Sequence, residues 1–371
     1  MEAKKKLLTF VFGTRPEAIK MAPVIKKFKR SSNFEVEIVL TGQHDELLKP
    51  IMDYFKLKEE INFKCMHKGQ SLDEITTKIL TNLTDYLNHK TPSLIFVQGD
   101  TTSAMASAIA AFYKKIPVAH IEAGLRTDDI YSPFPEEANR RIISQLATLH
   151  FTPTKLAYEN LKNNGISNNV FISGNTVVDA LLEVSKKDSK LLLDKLHIKK
   201  DDYLLITIHR RENWGKPLTQ IAESILKISK QFDKLKFIIP LHKNPLVREP
   251  LFKILGNSNN IFLIDDLPYL EFINLLKNTK FVLTDSGGVQ EEAAILGKPT
   301  LILRNNTERP EVLSEGNAFL VGTKEKNIIS KVTSLLNDSR QYQAMTNQNK
   351  SFGDGNASQL IMEKTIQFLE N

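Results

Sequence analysis

Residues 281–296 read Phe281-Val282-Leu283-Thr284-Asp285-Ser286-Gly287-Gly288-Val289-Gln290-Glu291-Glu292-Ala293-Ala294-Ile295-Leu296, and this stretch decides the fold class. Phe281–Thr284 is a short apolar run with no polar alternation, the pattern of a strand covered on both faces. Ser286-Gly287-Gly288 then turns the chain into a helix. Two residues without Cβ let the oxygens of an anion approach the backbone N–H groups at a helix start. Glu292, about one turn further on, is placed to accept hydrogen bonds from ribose hydroxyls. After the next strand, Thr307-Glu308-Arg309-Pro310-Glu311 offers a cation to the same anion.

Outward from this segment the same unit recurs. Strands are expected at Leu7–Phe12, Val36–Leu40, Leu94–Gln98, Val118–Ile121, Leu204–Ile208, Lys236–Leu241, Ile261–Ile264 and Thr300–Leu303, with helical patterns between them. Ser71-Leu72-Asp73-Glu74 reads as a capping box opening a helix through Leu87, and Ala104–Tyr113 as another helix. Strand–helix alternation of this kind gives parallel sheets in α/β layers. The alternation pauses after Phe171-Ile172-Ser173-Gly174, and a new series starts at Leu204 beyond a charged stretch over 186–202. The chain of 371 residues therefore divides into two doubly wound domains, with ligands expected beyond the carboxyl ends of the strands and in the cleft between the domains. Near the end, Asn356 and Gln359 offer a cap for a last helix reaching Leu369.

Composition narrows the chemistry. Fifty Lys and Arg against 43 Asp and Glu leave a net charge of +7, which suits an anionic partner, though surface lysines alone produce such an excess. Cys65 stands alone, which excludes an intramolecular disulfide and a thiolate metal cluster. The histidines lack H-E-x-x-H spacing, so no catalytic metal is expected. No G-x-G-x-x-G follows a strand and no Walker A motif occurs. No RNA-binding signature or interleaved aromatic–basic stripe points to nucleic acid. The basic start before Leu7–Phe12 is too short in its apolar part for a secretory signal, and no run is long enough to cross a membrane; a soluble, cytoplasmic protein is the expectation.

The residues just after the strands carry the chemistry. Gly13-Thr14-Arg15-Pro16-Glu17, with Lys20 one turn into the helix, puts two cations near a helix N-terminus that favours anions, or is a generic turn with two solvated cations. Gln98-Gly99-Asp100 ends the next motif-bearing strand, and Asp100 is either the cap of the following helix or a carboxylate for the site. His120-Ile121-Glu122-Ala123-Gly124-Leu125-Arg126 sets a glutamate directly after a buried strand. Glu136 stands in the first turn of a helix behind Pro133 and Pro135. Crowded carboxylates beside apolar walls have separated pKa values, allowing acid and base at one pH. In the second half, His209-Arg210-Arg211-Glu212 follows a strand, and a histidine there can donate a proton near neutral pH; His242 follows another strand.

These segments together resemble the non-hydrolysing UDP-N-acetylglucosamine 2-epimerases. The pieces are Gly13-Thr14-Arg15-Pro16-Glu17, Gly99-Asp100-Thr101-Thr102, His120 to Arg126, Pro135-Glu136-Glu137-Ala138-Asn139-Arg140, His209-Arg210-Arg211-Glu212, Asp285 to Glu292 and Glu308-Arg309-Pro310-Glu311, in the family's order, with similarity continuing to Gly353-Asp354-Gly355. The resemblance implies a GT-B-like fold of two Rossmann-type domains, 1–173 plus 356–371 carrying the acidic residues and 174–355 carrying much of the UDP site. It implies a homodimer, no cofactor, and a product that supplies surface-polysaccharide synthesis. It matches Arg15, Lys20, Phe272, Ser286, Gly287, Gly288, Glu292 and Arg309 to UDP binding. It matches Asp100, Glu122 and Glu136 to proton transfer, with His209 catalytic and also among the UDP-binding positions. Substrate also binds bacterial members as an activator, and Gln43, Gln70, Arg210 and His242 are the candidates for that site. Gly69, in Met66-His67-Lys68-Gly69-Gln70, stands where some regulated members have arginine.

Inverting C2 of an N-acetylglucosamine unit breaks a C–H bond that is not acidic. With no NAD fingerprint, the expected route is elimination of UDP to 2-acetamidoglucal and re-addition on the other face, served by carboxylates and by pyrophosphate stabilisation. A hydrolysing epimerase, a GT-B glycosyltransferase and a non-catalytic nucleotide-sugar sensor remain as alternative readings.

Overall fold

The computed structural model describes residues 5–43, 45–67, 69–186, 191–307, 309–347 and 350–370. Lys4, Lys68, Glu308 and residues 187–190 of the charged stretch, all used in the sequence reading, lie outside the described residues.

The chain forms two compact units, Met1–Leu182 with Phe352–Asn371, and Glu183–Ser351. The strands of the first are β1 (Lys6–Phe12), β2 (Phe34–Leu40), β3 (Ile61–Asn62), β4 (Leu94–Gln98), β5 (Val118–Ile121), β6 (Leu149–Thr152) and β7 (Val170–Ile172). They form one parallel sheet in the order 3-2-1-4-5-6-7. The second unit holds β8 (Tyr203–Thr207), β9 (Lys236–Pro240), β10 (Ile261–Ile264), β11 (Val282–Thr284), β12 (Thr300–Ile302) and β13 (Ala318–Leu320). Its parallel sheet runs 10-9-8-11-12-13. Both are doubly wound Rossmann-type sheets, and in each the strand order reverses beside the first strand: between β1 and β4, and between β8 and β11. That reversal opens a crevice at the carboxyl ends of the strands.

The nine strands expected from apolar runs are present, each within one or two residues of its expected limits. The four others, β3, β6, β7 and β13, have two to four residues each. Such runs are too short for periodicity to separate from loop. The helices follow from amphipathic spacing. Helix Lys216–Gln231 buries Leu218, Ile221, Ala222, Ile225 and Ile228, one face at the 3.6-residue period. Helix Thr102–Tyr113 instead buries Ala104, Ala106, Ala108, Ala110 and Ala111, and small side chains let it pack close. In the first unit Phe10 stacks on Phe96 with ring centroids 4.4 Å apart, and Phe28 tilts against both. Each such fully buried aromatic contributes about 1.5–3 kcal/mol. The second core gathers Leu204, Ile206, Phe237, Ile239, Phe281 and Leu283.

The last helix, Ala357–Glu370, belongs to the first unit. Its start is capped from a distance rather than by the expected Asn356–Gln359 pair. The Ser358 amide donates to Asp179 at 2.9 Å and the Ala357 amide at 3.3 Å, while Gln359 turns to Glu363. A buried carboxylate satisfies orphan N–H groups better than a neutral local cap. The segment before it presses on Gly174: a Cβ there would meet the Phe352 carbonyl oxygen at 3.1 Å. No helix among the described residues is long and apolar enough to cross a membrane.

Candidate active site

In the first unit the site-forming residues lie at the carboxyl ends of β1, β4 and β5. Gly13 makes the turn out of β1, and a Cβ there would fall 1.9 Å from Thr41 Oγ1. Helix Arg15–Lys29 starts at once, with Arg15 half-buried in its first turn. Glu17 is buried and folds back onto this turn. It accepts from the Gly13 amide at 3.0 Å, the Thr14 amide at 2.8 Å and the Thr14 hydroxyl at 2.7 Å. It also accepts from Thr101 Oγ1 at 2.6 Å, tying the turn after β1 to the turn after β4. Burial raises the Glu17 pKa, and these hydrogen bonds oppose the rise.

After β4, Thr101 is the cap of helix Thr102–Tyr113, its hydroxyl accepting from the Ala104 amide. That resolves the two readings of Asp100: it does not cap. Its carboxylate faces Arg140, with Nε at 2.9 Å and Nη2 at 2.6 Å from Oδ2, and Asn139 Nδ2 donates to its carbonyl at 2.9 Å. Asn139 and Arg140 belong to helix Glu136–Leu146, so the helix opened by Glu136 is bonded to Asp100. The buried Oε2 of Glu136 takes no hydrogen bond from any described residue. Its neighbour Glu137 is spent on structure, accepting from the Thr127 amide, Arg140 and Arg141.

Glu122 follows β5 with φ 65°, a left-handed backbone that a non-glycine residue adopts at a cost of about 1–2 kcal/mol. Its carboxylate is 9% exposed at residue level and is surrounded by donors: Lys20 forms an ion pair with it, Gln98 Nε2 donates to Oε2, and Asn175 Nδ2 donates to Oε1 at 3.1 Å. Two residues back, His120 lies buried with Nε2 at 2.7 Å from the Gly99 carbonyl. Burial pushes its pKa down to about 3, so the ring is neutral and Nε2–H is the donor. Gln43 accepts from Ser103 Oγ at 2.9 Å beside the same β1 turn. Gln70 is held in its own loop, Oε1 accepting from the His67 amide at 2.8 Å.

In the second unit the crevice lies between β8 and β11. Asp285, fully buried, accepts from the amides of His209 and Arg210 and from Asn213 Nδ2, at 2.9–3.1 Å. One of its oxygens lies 3.3 Å from His209 Nδ1. This buried carboxylate thereby lies against the Nδ1 side of the imidazole. His242 is exposed and lies alongside, ring centroid 6.2 Å from that of His209. Ser286 begins helix Gly287–Ile295 without any side-chain cap, and a Cβ on Gly288 would meet nothing within 4 Å. The amides at this helix start are thus open to a ligand oxygen. Behind them Glu292 accepts from Tyr269 Oη at 3.0 Å, and Arg309, largely buried, is ion-paired with Glu291. Phe272 is half-buried on helix Tyr269–Asn278, which also carries Tyr269. Among the described residues no group of three or more His, Cys, Asp or Glu is arranged to hold a metal ion.

Residues 26–365 match the UDP-N-acetylglucosamine 2-epimerase family. The chain belongs to this family. It is 44% identical to the UDP-N-acetylglucosamine 2-epimerase of Neisseria meningitidis over 371 aligned positions, covering 98% of this chain and 99% of the relative. The Escherichia coli enzyme of that name is also 44% identical, with 96% and 97% covered. Among solved structures, the Neisseria meningitidis UDP-GlcNAc 2-epimerase bound to UDP-GlcNAc is similar with a TM-score of 0.92 at 43% identity, covering 97% of this chain and all of the other. That of Methanocaldococcus jannaschii in complex with UDP-GlcNAc and UDP gives 0.84 at 35% identity, covering 97% and 99%. The architecture of this epimerase-family chain is accordingly GT-B-like.

Within the epimerase chain the structure gathers Lys20, Asp100 and Glu122 around neighbouring strand ends. It gathers His209 and Arg210 around Asp285, with His242 stacked alongside His209, while Gln70 is tied to His67 within its own loop. Sequence reading passed over Gln98, Asn175, Asp285, Asn213 and Tyr269 as individual site residues. Asp285 could have been found, since a charge directly after an apolar strand needs a partner when buried. Asn175 lay hidden because its segment read as a domain boundary. Tyr269 and Glu292 are 23 residues apart, and nothing local announces their pairing.

Proposed function

We propose that this chain interconverts UDP-N-acetylglucosamine and UDP-N-acetylmannosamine by elimination and re-addition, without net hydrolysis. A carboxylate removes the proton from C2 while the C1–O bond breaks and its electron pair leaves with UDP. The intermediate is 2-acetamidoglucal. UDP then adds back at C1 as a second acid delivers a proton to the opposite face of C2, so atoms and charge balance. The observation that carries this reading is the carboxylate group formed by Asp100 and Glu122 at adjoining strand ends and Glu136 on the helix bonded to Asp100. A glycosyltransferase needs a nucleotide grip but not this trio.

The remaining assignments follow from the chemistry of the donors. The amides of Gly287 and Gly288, at the start of the helix, receive phosphate oxygens, and Arg15 and Arg309 offset their charge. His209, held beside the buried Asp285 carboxylate, stabilises departing UDP. Glu292 receives the ribose hydroxyls and Phe272 flanks the base. Lys20 serves Glu122 as well as the anionic ligand. Gln43, Gln70, Arg210 and His242 remain the proposed activator contacts. A homodimer is supported by Phe112 and Tyr113, 54% and 73% exposed at the end of helix Thr102–Tyr113.

The test is proton NMR of purified protein with UDP-N-acetylglucosamine in D2O. UDP-N-acetylmannosamine with deuterium at C2 and little free sugar is the expected result. Free N-acetylmannosamine as the main product would establish the hydrolysing alternative, and folded protein that exchanges nothing at C2 would defeat the proposal.

A further inference from the structure

We propose that Gln98 and Asn175 are positioning residues that aim and charge-stabilise the Glu122 carboxylate, Asn175 doing so from the point where the returning C-terminal segment is anchored. The inference rests on the proton-transfer role proposed for Glu122. Gln98 and Asn175 are each 2% exposed and reach different oxygens: Gln98 Nε2 donates to Oε2 and Asn175 Nδ2 to Oε1. A carboxylate with both oxygens held cannot rotate about its last torsion, so the lone pair offered to a substrate proton has a fixed direction. Glu122 needs such holding, since its left-handed backbone persists only where the surroundings determine it.

Asn175 is itself locked on every other side. Its Oδ1 accepts from the Val177 amide at 3.1 Å, and its backbone amide donates to the Phe352 carbonyl at 2.7 Å. With the acceptor committed to the backbone, Nδ2 points at Glu122 and the amide cannot flip without losing a bond. Gly174 and Gly353 press together on the adjacent side: a Cβ on Gly174 would stand 3.2 Å from Gly353 Cα, and one on Gly353 3.1 Å from Gly174 Cα. Chain re-entry at Phe352 and the aim of Glu122 are thus separated by one residue.

Two variants separate positioning from mere packing. Asn175→Asp keeps the oxygen for Val177 and the amide for Phe352 but replaces the donor with a like charge. Gln98→Met keeps volume and removes the other donor. Loss of a donor and gain of a like charge both disfavour ionised Glu122. For Asn175→Asp we expect kcat to fall roughly tenfold or more near neutral pH with KM little changed, and the acid limb of the pH–rate profile to move up by about one unit. Gln98→Met should give a smaller shift of the same sign. UDP binding and Tm serve as controls for folding. Glu122→Gln is measured in parallel: if it keeps C2 exchange, the role of Glu122 itself fails. If it loses exchange while either folded variant keeps the parental profile and kcat, the positioning proposal is overturned and the reading of Glu122 stands.

Discussion

Asp285→Asn isolates what a buried charge does for His209. The substitution changes little volume, and an asparagine oxygen at the Oδ2 position can still accept from the Arg210 amide and Asn213 Nδ2, at 3.0 and 2.9 Å in the parent. What disappears is the charge. Hydrogen bonds to charged groups contribute about 1.5–3 kcal/mol against about 1 kcal/mol for neutral ones. With the amides of His209 and Arg210 and the Asn213 side chain all bonded to this residue, the expected loss is about 2–3 kcal/mol. For a unit of this size that lowers Tm by about 5–10 °C. The effect on activity has another origin. The side-chain amide nitrogen would take the place of the oxygen 3.3 Å from His209 Nδ1. An NH2 there donates to Nδ1 and moves the ring proton to Nε2, and the ring loses the anion behind it. Loss of a correctly oriented general acid or electrostatic stabiliser reduces rate by about 10²–10⁴-fold. Since the His209 side chain is 41% exposed and water takes over part of the stabilisation, the lower end is expected. Initial-rate epimerisation gives kcat, calorimetry gives Tm, and 15N shifts of the imidazole report the tautomer. A variant with the tautomer reversed yet the rate of the parent would refute the reasoning, as would a fully active variant with unchanged Tm.

Gly13→Ala should destabilise the first unit by about 1–3 kcal/mol, because its Cβ would collide with Thr41 Oγ1 and Ser103 Oγ at 1.9 and 2.8 Å; denaturant melts check this. Asp179→Ala removes the distant cap of helix Ala357–Glu370 and should cost about 1–2 kcal/mol, with earlier proteolysis of the C-terminal helix as the readout. His120, with a folded pKa lowered to about 3 against 6.5 in the unfolded chain, favours the native state while neutral. Stability should therefore fall as pH drops below 6.5, because only the unfolded chain takes up the proton, and His120→Asn should flatten that slope in urea titrations from pH 7 to 4. Glu17 has the opposite sign: its folded pKa is raised above 4.5, so its contribution is present below that pH and declines as pH rises, a trend that Glu17→Gln should remove.

The sheets were legible because their strands are buried on both faces and therefore read as uninterrupted apolar runs, as in Leu94–Gln98 and Ile261–Ile264. The candidate residues Asp100, Glu122 and His209 could be singled out because each stands directly after such a run. Partner choice was not legible. Whether Asp100 capped a helix depended on the next residue's hydroxyl and on a distant cation: Thr101 reaches the Ala104 amide, and the Asp100 carboxylate is taken by Arg140, 40 residues away. The distant cap by Asp179 spans 179 residues of sequence and has no local periodic signal. Glu17 belongs to a motif that reads as an anion-binding turn, yet three of its bonds close the turn itself and the fourth ties it to Thr101 in the turn after β4.

The two units share the strand order 3-2-1-4-5-6 but arm their crevices differently, and the difference bears on the chemistry. A C2 proton in a UDP-sugar lies within a few ångströms of a pyrophosphate. A bare carboxylate approaching it would be repelled: two unit charges about 4 Å apart interact by about 4 kcal/mol at the effective dielectric of a protein surface. In the first unit Glu122 carries Lys20, and Asp100 carries Arg140. Each pair presents basic oxygen atoms with little net charge, which suits a base that must work beside an anion. In the second unit the charges at the strand ends are arranged the other way round. Asp285 is entirely buried and its charge is directed at His209 and backbone amides, leaving the imidazole and the uncapped helix start as the outward-facing groups. On the proposed reading, anionic groups are thus masked by cations where protons would move, and the imidazole and helix dipole are backed by a hidden anion where phosphate would be held. Swapping either arrangement should lower kcat, unmasking Glu122 at the transfer of the C2 proton and removing the Asp285 charge behind His209 at the breaking and re-forming of the C1–O bond.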